Sequence, residues 1–317
     1  MNIKEYMEQE QVHINRYIQK ELSTLHSHIQ PVAHHIFATG GKRLRPLLII
    51  LVARHFGYCS DSIYPLAIAV EFIHSATLLH DDILDNSSIR RGEKTAHLLF
   101  GIQKTVLAGD ALLAKGCHLV ASAGIPELIA KVSEIIMDTV AGEIEEVAHE
   151  HECISFEQYI EIIRGKTAKM IQKACEMGAI RSNASEEDII SIGRFGESFG
   201  MAFQIVDDIL DYTGTDIFGK PRGIDIMEGK ITAPLLLYTQ SIPHGTEILS
   251  RVVEKTYTQE EIEQVIRNIS HSDAIDKAYM LVQEYVDVAL DILNRYNATP
   301  EIILLKKMTE YSIQRVL

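Results

Sequence analysis

The sequence predicts an all-α protein, built as a single domain over residues 1–317. Two observations carry this prediction. Apolar residues recur with helical spacing, and the alternation typical of half-buried strands is nearly absent. In addition, no stretch is rich enough in proline, glycine or serine to separate two domains. We therefore expect one large bundle of about ten or more helices around a central cavity.

Four long apolar segments are predicted to form the buried helices of this bundle. They cover residues 66–84, 105–123, 127–148 and 196–212, with turn-forming residues between them. Ser185 is followed by three acidic residues, a pattern typical of a helix N-cap. After Pro243 the chain becomes more amphipathic and charged, as we expect for outer helices.

Composition excludes several classes of protein. With 44 acidic and 30 basic side chains the net charge is −14, so broad binding to nucleic acid or anionic lipid is not expected. Only 19 glycines and 8 prolines, with 46% hydrophobic residues, exclude a collagen-like or disordered chain. The four widely spaced cysteines predict neither a disulfide framework nor a zinc knuckle. A polar beginning and the lack of an unbroken apolar run of about 20 residues predict a soluble, cytoplasmic protein.

The pentapeptide DDILD occurs twice, at residues 81–85 and 207–211, each time at the C-terminal end of an apolar helix. The first and last aspartates of each copy lie one turn apart, where like charges repel, and the helix end repels anions as well. The eight residues before each copy are mostly apolar, so the carboxylates lie at the mouth of a core. Oxygen ligands in this arrangement favour a divalent cation such as Mg²⁺ or Mn²⁺.

Basic residues bracket both aspartate clusters, which indicates an anionic ligand such as a diphosphate. They are Lys42 and Arg45 beside a Gly-Gly pair, Arg90 and Arg91 after the first cluster, Lys166 before Thr167, and Lys220 and Lys230 after the second cluster. The Gly165-Lys166-Thr167 segment lacks the upstream glycine of a P-loop.

These segments resemble the trans-polyprenyl diphosphate synthases, of the long-chain heptaprenyl or octaprenyl type. The matching motifs are GGKRLRP, EFIHSATLLHDDILD with its trailing IRRG, GKTA, FQIVDDILDY and GKPRGIDIMEGK, and they extend from residue 40 to residue 234. The resemblance implies the all-α isoprenoid synthase fold. It also implies a prenyltransferase that condenses isopentenyl diphosphate onto an allylic diphosphate with the help of Mg²⁺.

The resemblance implies a role for each matched residue. Three Mg²⁺ ions would be held by Asp81, Asp82, Asp85, Asp207, Asp208 and Asp211, with Asp81, Asp85 and Asp207 as the main direct ligands. Isopentenyl diphosphate would bind to Lys42, Arg45, His74 and Arg91, and the allylic diphosphate to Arg90, Lys166, Lys220 and Lys230. Lys166, Thr167 and Gln204 would be catalytic, the last two beside the reacting carbons. One departure is Glu146, which stands where family members often carry glutamine.

Product length is indicated by Ala76 and Thr77, which precede Asp81 by five and four residues. The pattern of short-chain members of the family has an aromatic side chain near this level. The small side chain of Ala76 leaves open the tunnel for the growing prenyl chain. The next turn offers Ile73 and Phe72, and the tunnel floor is sought among residues 135–137. We expect a C30–C40 product for a quinone side chain, with a C20 geranylgeranyl diphosphate synthase as the alternative.

Two other classes of protein use similar features. A terpene cyclase also has an aspartate-rich helix and Mg²⁺, but it needs no isopentenyl site of the kind that Lys42, Arg45 and Arg91 would form. A non-catalytic regulatory subunit would not need two intact aspartate motifs. The resemblance further implies a homodimer, or a complex with a small, dissimilar regulatory subunit. Neither nucleic-acid binding nor stable membrane insertion is expected.

Overall fold

The computed structural model of the protein describes residues 3–38, 40–149, 152–214 and 222–314. Within these ranges the chain is predominantly helical, which confirms the all-α prediction. The helices in chain order are α1 (Ile3–Leu22), α2 (Gln30–Ala38), α3 (Leu44–His55), α4 (Ile63–Leu84), α5 (Ala96–Phe100), α6 (Ile102–Ala121), α7 (Pro126–Ala148), α8 (Phe156–Ile163), α9 (Lys169–Arg181), α10 (Glu186–Thr213), α11 (Ile224–Glu228), α12 (Ala233–Gln240), α13 (Gly245–Val253), α14 (Gln259–Ser270), α15 (Ala274–Leu293) and α16 (Pro300–Gln314). Between α8 and α9 the chain makes one π-helical turn, Arg164–Ala168. A small hairpin of β1 (Ile89–Arg90) and β2 (Glu93–Lys94) follows α4.

The protein groups into two compact units. Unit 1 comprises Met1–Ile136, Lys173–Gly193 and Asn297–Leu305, and unit 2 comprises Met137–Gln172, Arg194–Tyr296 and Lys306–Leu317. The first aspartate cluster belongs to unit 1 and the second to unit 2. The organisation as a single domain around a central cavity stays a prediction.

The core of unit 1 is built on α3 and α4. Every residue of α3 from Pro46 to Ala53 is buried, and α4 is buried on several sides, as its apolar sequence predicts. α6 packs closely against α4 because glycine replaces a side chain at the contact: a Cβ atom on Gly116 would lie 2.9 Å from the carbonyl oxygen of Ala69. This close packing fixes the helix that ends in the first aspartate cluster.

By length and composition α4 could cross a membrane, and 72% of its most apolar window is buried inside the protein. The core helix of a soluble protein has the same character.

The core of unit 2 forms around the second half of α10. Ile205, Ile209 and Tyr212 are fully buried there, within one hydrophobic cluster that also includes side chains of α8, α12, α14 and α15. The hydroxyl group of Tyr212 lies 2.8 Å from the Thr232 hydroxyl, which gives this buried polar atom a hydrogen-bond partner. The second aspartate cluster therefore lies at the end of a helix whose second half is packed into the core of unit 2.

The four long helices predicted from the sequence correspond to α4, α6, α7 and α10. The Ser185 hydroxyl accepts a hydrogen bond from the backbone N–H of Asp188 at 3.1 Å, which confirms the N-cap. α10 begins ten residues before the apolar segment from which it was predicted, because its first turns are acidic and amphipathic.

Candidate active site

In unit 1 the Gly-Gly-Lys-Arg segment directly precedes α3 and includes residues in the left-handed backbone conformation. Gly40 has φ of 84° and Arg43 has φ of 49°, and α3 begins at the next residue, Leu44. Lys42 is exposed, whereas Arg45 is partly buried in the first turn of the helix. Cations at a helix N-terminus meet the positive end of the helix dipole, so this arrangement favours the approach of an anion.

Arg90 and Arg91 lie on a tight hairpin that was not predicted from the sequence. Arg91 and Gly92 are its two turn residues, with φ of 52° and 82°, as in a type I′ turn. The Nε atom of Arg90 donates to Oδ1 of Asp82 at 2.6 Å, while Nη1 of Arg91 donates to the carbonyl oxygen of Gly40. The hairpin therefore places Arg90 in contact with the first aspartate cluster and Arg91 in contact with the Gly-Gly loop.

His74 lies on α4 within the electrostatic reach of four arginines. Burial lowers the pKa of its imidazole well below the ordinary value, and the charges of Arg45, Arg91, Arg90 and Arg43 lower it further. The imidazole is therefore neutral at pH 7 and can donate one N–H to an anion without adding charge. The structure thus brings together His74, Arg45 and Arg91 of the set expected to bind isopentenyl diphosphate.

The three aspartates of the first cluster differ in exposure. Asp82 is buried and bound to Arg90, whereas Asp81 is partly exposed and Asp85 is exposed at the C-terminal end of α4. Burial raises the pKa of Asp82, although Arg90 opposes this effect. Asp82 is therefore held in place by an arginine, and Asp81 and Asp85 are the carboxylates accessible to a cation.

In unit 2 a chain of hydrogen bonds joins the two residues expected beside the reacting carbons. Thr167 Oγ1 donates to Gln204 Oε1 at 2.8 Å, and Gln204 Nε2 donates to Asp208 Oδ1 at 2.8 Å. The phenol of Tyr159 donates to the other oxygen of Asp208 at 2.6 Å. Burial raises the pKa of Asp208 to about 7, against the effect of these two hydrogen bonds. Tyr159 was missed from the sequence, where it is one aromatic residue among others.

Lys166 lies on the π-helical turn and is held by two carboxylates of α7. Its Nζ atom is 2.7 Å from Oε2 of Glu143 and also contacts Glu146. Burial would lower the pKa of Lys166, but these two glutamates outweigh it and the pKa is raised. The departure from the family pattern at Glu146 therefore acts directly on a residue expected to bind the allylic diphosphate.

Asp211, the last aspartate of the second cluster, is bound to the N-terminus of α11. Its carboxylate accepts hydrogen bonds from the backbone N–H groups of Ile224 and Asp225, both at 3.2 Å. Burial and the neighbouring Asp211 raise the pKa of Asp225 well above its ordinary value. Lys230 donates its backbone N–H to the Asp225 carbonyl at 2.7 Å and pairs with Glu228 at 2.9 Å. Asp225 is thus a further acidic residue of this region, missed although its motif was recognised.

The residues of the second cluster also differ in accessibility, with Asp207 exposed and Asp208 buried. Lys220 lies outside the described residues. Within the described ranges no three histidine, cysteine or acidic side chains converge into a metal-binding group. Mg²⁺ commonly takes only one or two carboxylates, together with water and substrate phosphate. The exposed or partly exposed carboxylates of each cluster, Asp81 and Asp85 in unit 1 and Asp207 in unit 2, are donors of the type that such a cation takes.

The residues expected to set product length point in different directions from α4. The ring of Phe72 packs edge-on against Phe37, with 5.2 Å between ring centroids. Ile73 lies against α6, where a Cβ atom on Gly116 would be 2.8 Å from it. Ala76 is buried and small. Phe72 and Ile73 therefore belong to the helix packing of unit 1.

Thr77 and the proposed floor residues are also placed. The Thr77 hydroxyl donates to the carbonyl oxygen of His74 at 2.9 Å, so its polar atom is used within the helix. Met137 is 70% exposed, and the position of the tunnel floor stays a prediction. Ile135 is fully buried, in keeping with an apolar lining.

Comparison with known proteins places this chain in a family. The polyprenyl synthetase family model matches residues 26–269. Heptaprenyl diphosphate synthase component 2 of Geobacillus stearothermophilus is 36% identical over 267 residues, covering 83% of this chain and 82% of that protein. Geranylgeranyl diphosphate synthase of Sulfolobus acidocaldarius is 34% identical over 316 residues, covering 95% and 94%.

The fold is shared with solved structures. The crystal structure of a polyprenyl synthase from Caulobacter crescentus, complexed with calcium and isoprenyl diphosphate, superimposes with a TM-score of 0.93. It is 33% identical and covers 99% of this chain and 97% of that chain. The chain therefore belongs to the polyprenyl synthetase family and is a prenyltransferase with the family's all-α fold.

Proposed function

We propose that the chain is a Mg²⁺-dependent synthase that joins isopentenyl diphosphate to an allylic diphosphate and releases an all-trans polyprenyl diphosphate. The observation that best supports this is the gathering of Arg45, Arg90 and Arg91 around His74, beside the aspartates of α4. Guanidinium groups suit a diphosphate, and carboxylates beside them suit the cation that accompanies it. Family membership supports the same chemistry.

In this proposal each matched residue keeps the role that the resemblance implies. Isopentenyl diphosphate binds to Lys42, Arg45, His74 and Arg91, and the allylic diphosphate to Arg90, Lys166, Lys220 and Lys230. Three Mg²⁺ ions would be held by the aspartates of the two clusters, with Asp81, Asp85 and Asp207 as the main direct ligands. Their greater exposure supports this choice, since Asp82 and Asp208 are buried.

The chemistry follows from these positions. Bound Mg²⁺ would supply positive charge to the diphosphate oxygens of the allylic substrate. The basic side chains proposed for the allylic diphosphate would add positive charge to this leaving group, which favours breaking the allylic C–O bond to give a carbocation. The double bond of isopentenyl diphosphate attacks this carbocation and forms the new C–C bond.

The remaining steps need no base from the protein. A proton is lost as the new double bond forms, and the released diphosphate accepts it. Thr167 and Gln204, joined by a hydrogen bond, would direct oxygen dipoles at the positively charged carbons. Exclusion of water protects the carbocation, in keeping with the apolar residues that precede both aspartate clusters.

The decisive experiment is an assay of the full-length chain, purified alone, with farnesyl diphosphate, isopentenyl diphosphate and Mg²⁺. We expect prenyl diphosphates longer than the primer, identified by mass spectrometry, and no product with a chelator. Consumption of the primer without isopentenyl diphosphate would favour a terpene cyclase. Lack of turnover, alone and with a partner subunit, would favour a regulatory protein.

We propose a C30–C40 product, supported by the small, buried side chain of Ala76 on α4. One helical turn rises about 5.4 Å, roughly the length of one isoprene unit, so an obstruction at this level should stop elongation early. Replacing Ala76 with Phe is expected to shorten the product to about C20 in the assay above, whereas Ala76→Ser should leave the product length unchanged. An unchanged product in Ala76→Phe would contradict the tunnel.

We also propose that the chain associates with a second protein chain, as a homodimer or with a small regulatory subunit. Exposed apolar side chains on α5 and α6 support this proposal: Leu98, Leu99, Ile102, Val106 and Leu107. The Geobacillus relative is named as one component of its enzyme. Light scattering is expected to give twice the chain mass of 35.6 kDa for the purified homodimer. We place this soluble enzyme in the cytoplasm, without stable membrane insertion, as the burial of α4 favours.

A further inference from the structure

Arg43 is buried, although it belongs to an otherwise exposed loop of cationic residues. Its guanidinium has partners on three sides. Nη1 donates to Glu71 at 2.9 Å, Nη2 to the carbonyl oxygen of Phe37 at 2.8 Å, and Nε to Asn15 at 3.3 Å. Because all three nitrogen atoms are committed inside unit 1, Arg43 differs from its neighbour Lys42, which is exposed.

The backbone at Arg43 is held in an unfavourable conformation. Its φ of 49° and ψ of 40° are left-handed, which is uncommon for a residue with a long side chain. Such conformations persist where the surroundings over-determine them. The turn at this residue sets the direction in which Lys42 leaves the loop and Arg45 enters α3. The buried contacts of Arg43 therefore fix how both cations are presented.

Glu71, the partner of Arg43, lies on α4 with only 5% of its surface exposed. Its charge also acts on Arg45, where it opposes the lowering of the pKa by burial. One buried carboxylate thus stabilises two arginines of the same cluster. It lies three residues before His74, on the same side of the helix.

The arginines of this cluster are crowded. A Cβ atom on Gly41 would lie 3.0 Å from Nη1 of Arg91 and 3.1 Å from Nη1 of Arg43, so both guanidiniums lie against this glycine. Like charges at such short range repel one another unless a carboxylate compensates them. Glu71 supplies this compensation from within the core and leaves the outer side of the cluster positive.

We infer that Arg43 and Glu71 are positioning residues for isopentenyl diphosphate: their buried ion pair holds Lys42, Arg45 and Arg91 in the arrangement that receives this diphosphate. The inference rests on the proposed function, which assigns that substrate to Lys42, Arg45 and Arg91. Neither Arg43 nor Glu71 contacts the substrate in this scheme. They act through the loop and through the charge balance of the cluster.

The test uses the full-length chain and two variants, Glu71→Gln and Arg43→Lys. Each keeps the size of the side chain while removing the carboxylate charge or the forked donor. We expect the KM for isopentenyl diphosphate to rise about tenfold or more, the effect of losing interactions worth 1.4 kcal/mol. The KM for the allylic diphosphate is expected to change less than about twofold.

A matched control separates positioning from general loss of stability. Glu10, which is buried, forms another ion pair of unit 1 with the partly buried Arg54, 2.5 Å from Nη1. Glu10→Gln should lower the melting temperature as Glu71→Gln does, because each leaves a buried or partly buried guanidinium without its carboxylate. It should leave the KM for isopentenyl diphosphate unchanged. An equal rise of this KM in Glu10→Gln and Glu71→Gln would overturn the inference.

Direct binding distinguishes failure of this inference from failure of the proposed function. Isopentenyl diphosphate is titrated calorimetrically into each protein in the presence of a chelator, so that only side chains contribute. Binding weakened about tenfold in Glu71→Gln, but not in Glu10→Gln, supports the inference even if the purified chain is inactive alone. Equal affinity in all the variants overturns it even if the chain is an active synthase.

Discussion

Lys166 shows how the residue at position 146 alters the surroundings of a side chain that we propose to bind the allylic diphosphate. Its Nζ atom is shared between Glu143, at 2.7 Å, and Glu146. Glu146 stands where the family often has glutamine, so a neutral hydrogen-bond partner is replaced by a second negative charge. A diphosphate that binds Lys166 must therefore compete with two carboxylates.

We expect Glu146→Gln to lower the KM for the allylic diphosphate about three- to tenfold, because the competing charge is removed while the side chain keeps its size. The KM for isopentenyl diphosphate should stay the same. Steady-state kinetics with each substrate varied in turn provides the measurement. Glu145→Gln, at an exposed position of the same helix, is the control. The same decrease in both variants would point to bulk charge instead.

Asp81 and Asp82 are adjacent but have different surroundings. Asp82 is buried and bound to Arg90, whereas Asp81 is accessible at the end of α4. The first aspartate should therefore serve the reaction and the second should hold the hairpin of Arg90 and Arg91.

Replacing Asp81 with Asn is expected to lower kcat by about 10²–10³, the usual effect of losing one electrostatic contact to a transition state. The melting temperature should be unchanged, because this side chain is not part of the core. Asp287→Asn, at an exposed position of α15, is the control for loss of one surface charge. Near-normal kcat in Asp81→Asn at saturating Mg²⁺ would contradict the assignment of Asp81 as a main metal ligand.

At the scale of the element, the π-helical turn between α8 and α9 is placed by two glycines. A Cβ atom on Gly142 would lie 2.8 Å from the backbone nitrogen of Lys166 and 3.1 Å from the carbonyl carbon of Gly165. The α7 backbone therefore touches the turn that carries Lys166 and Thr167. π-helical turns inside helices occur frequently at functional sites.

Gly142→Ala should separate α7 from this turn, although alanine favours helix formation by about 1 kcal/mol over glycine. We expect a loss of about 1–3 kcal/mol in unfolding free energy, as for other overpacked positions. The shift of Lys166 should also lower kcat at least about tenfold. Denaturant unfolding and kinetics measure the two effects, with the exposed neighbour substitution Ala141→Ser as control. A more stable variant of normal activity would disprove the close contact.

The short helix α11 is another element whose position depends on a contact. Two backbone N–H groups at its start bind the carboxylate of Asp211, which places Asp225 next to the second aspartate cluster. Nothing in the spacing of GIDIMEG announces a helix of five residues or its partner. The contact joins residues 13 and 14 positions apart, on both sides of a segment outside the described residues.

At the scale of the whole molecule, stability should depend on pH through the ionisation of one histidine, His55. His55 is half-buried, with its Nδ1 atom 3.0 Å from the hydroxyl oxygen of Thr299. Burial lowers the pKa of His55, and the charges of Glu301 and Asp188 only partly oppose this effect. The imidazole of His55 therefore binds a proton less readily in the folded protein than in the unfolded chain, where its pKa is ordinary.

The sign follows from this difference in proton binding. Above pH of about 6.5 neither state is protonated at His55, and its contribution to stability is complete. As the pH falls below this value the unfolded chain binds a proton first, so stability is lost until the folded pKa is reached. Between pH 7.5 and 5.5 the wild-type protein should therefore lose more unfolding free energy than His55→Asn, as urea unfolding would show. An equal loss in both would exclude His55 as a cause.

Much of the architecture could be predicted because it depends on local pattern. The helical spacing of apolar residues predicted α4, α6, α7 and α10. The two DDILD segments lie at the C-terminal ends of α4 and α10, as expected. The hairpin of Arg90 and Arg91 could not be predicted in this way, because two-residue strands carry no periodicity. Only its Arg-Gly pair, suited to positive φ, hinted at the turn.

Sequence by itself determined the helical class, the chemistry of the aspartate and arginine motifs and the family, because these depend on residue type and spacing along the chain. Tertiary structure alone decided which of these side chains are committed elsewhere. In the folded chain Asp82 is bound to Arg90, Asp208 to Tyr159, Lys166 to two glutamates and Arg43 to Glu71. Each of these contacts joins residues from 8 to 49 positions apart. The physical reason is that charge and hydrogen bonding act through space, whereas sequence pattern records only neighbours along one helix.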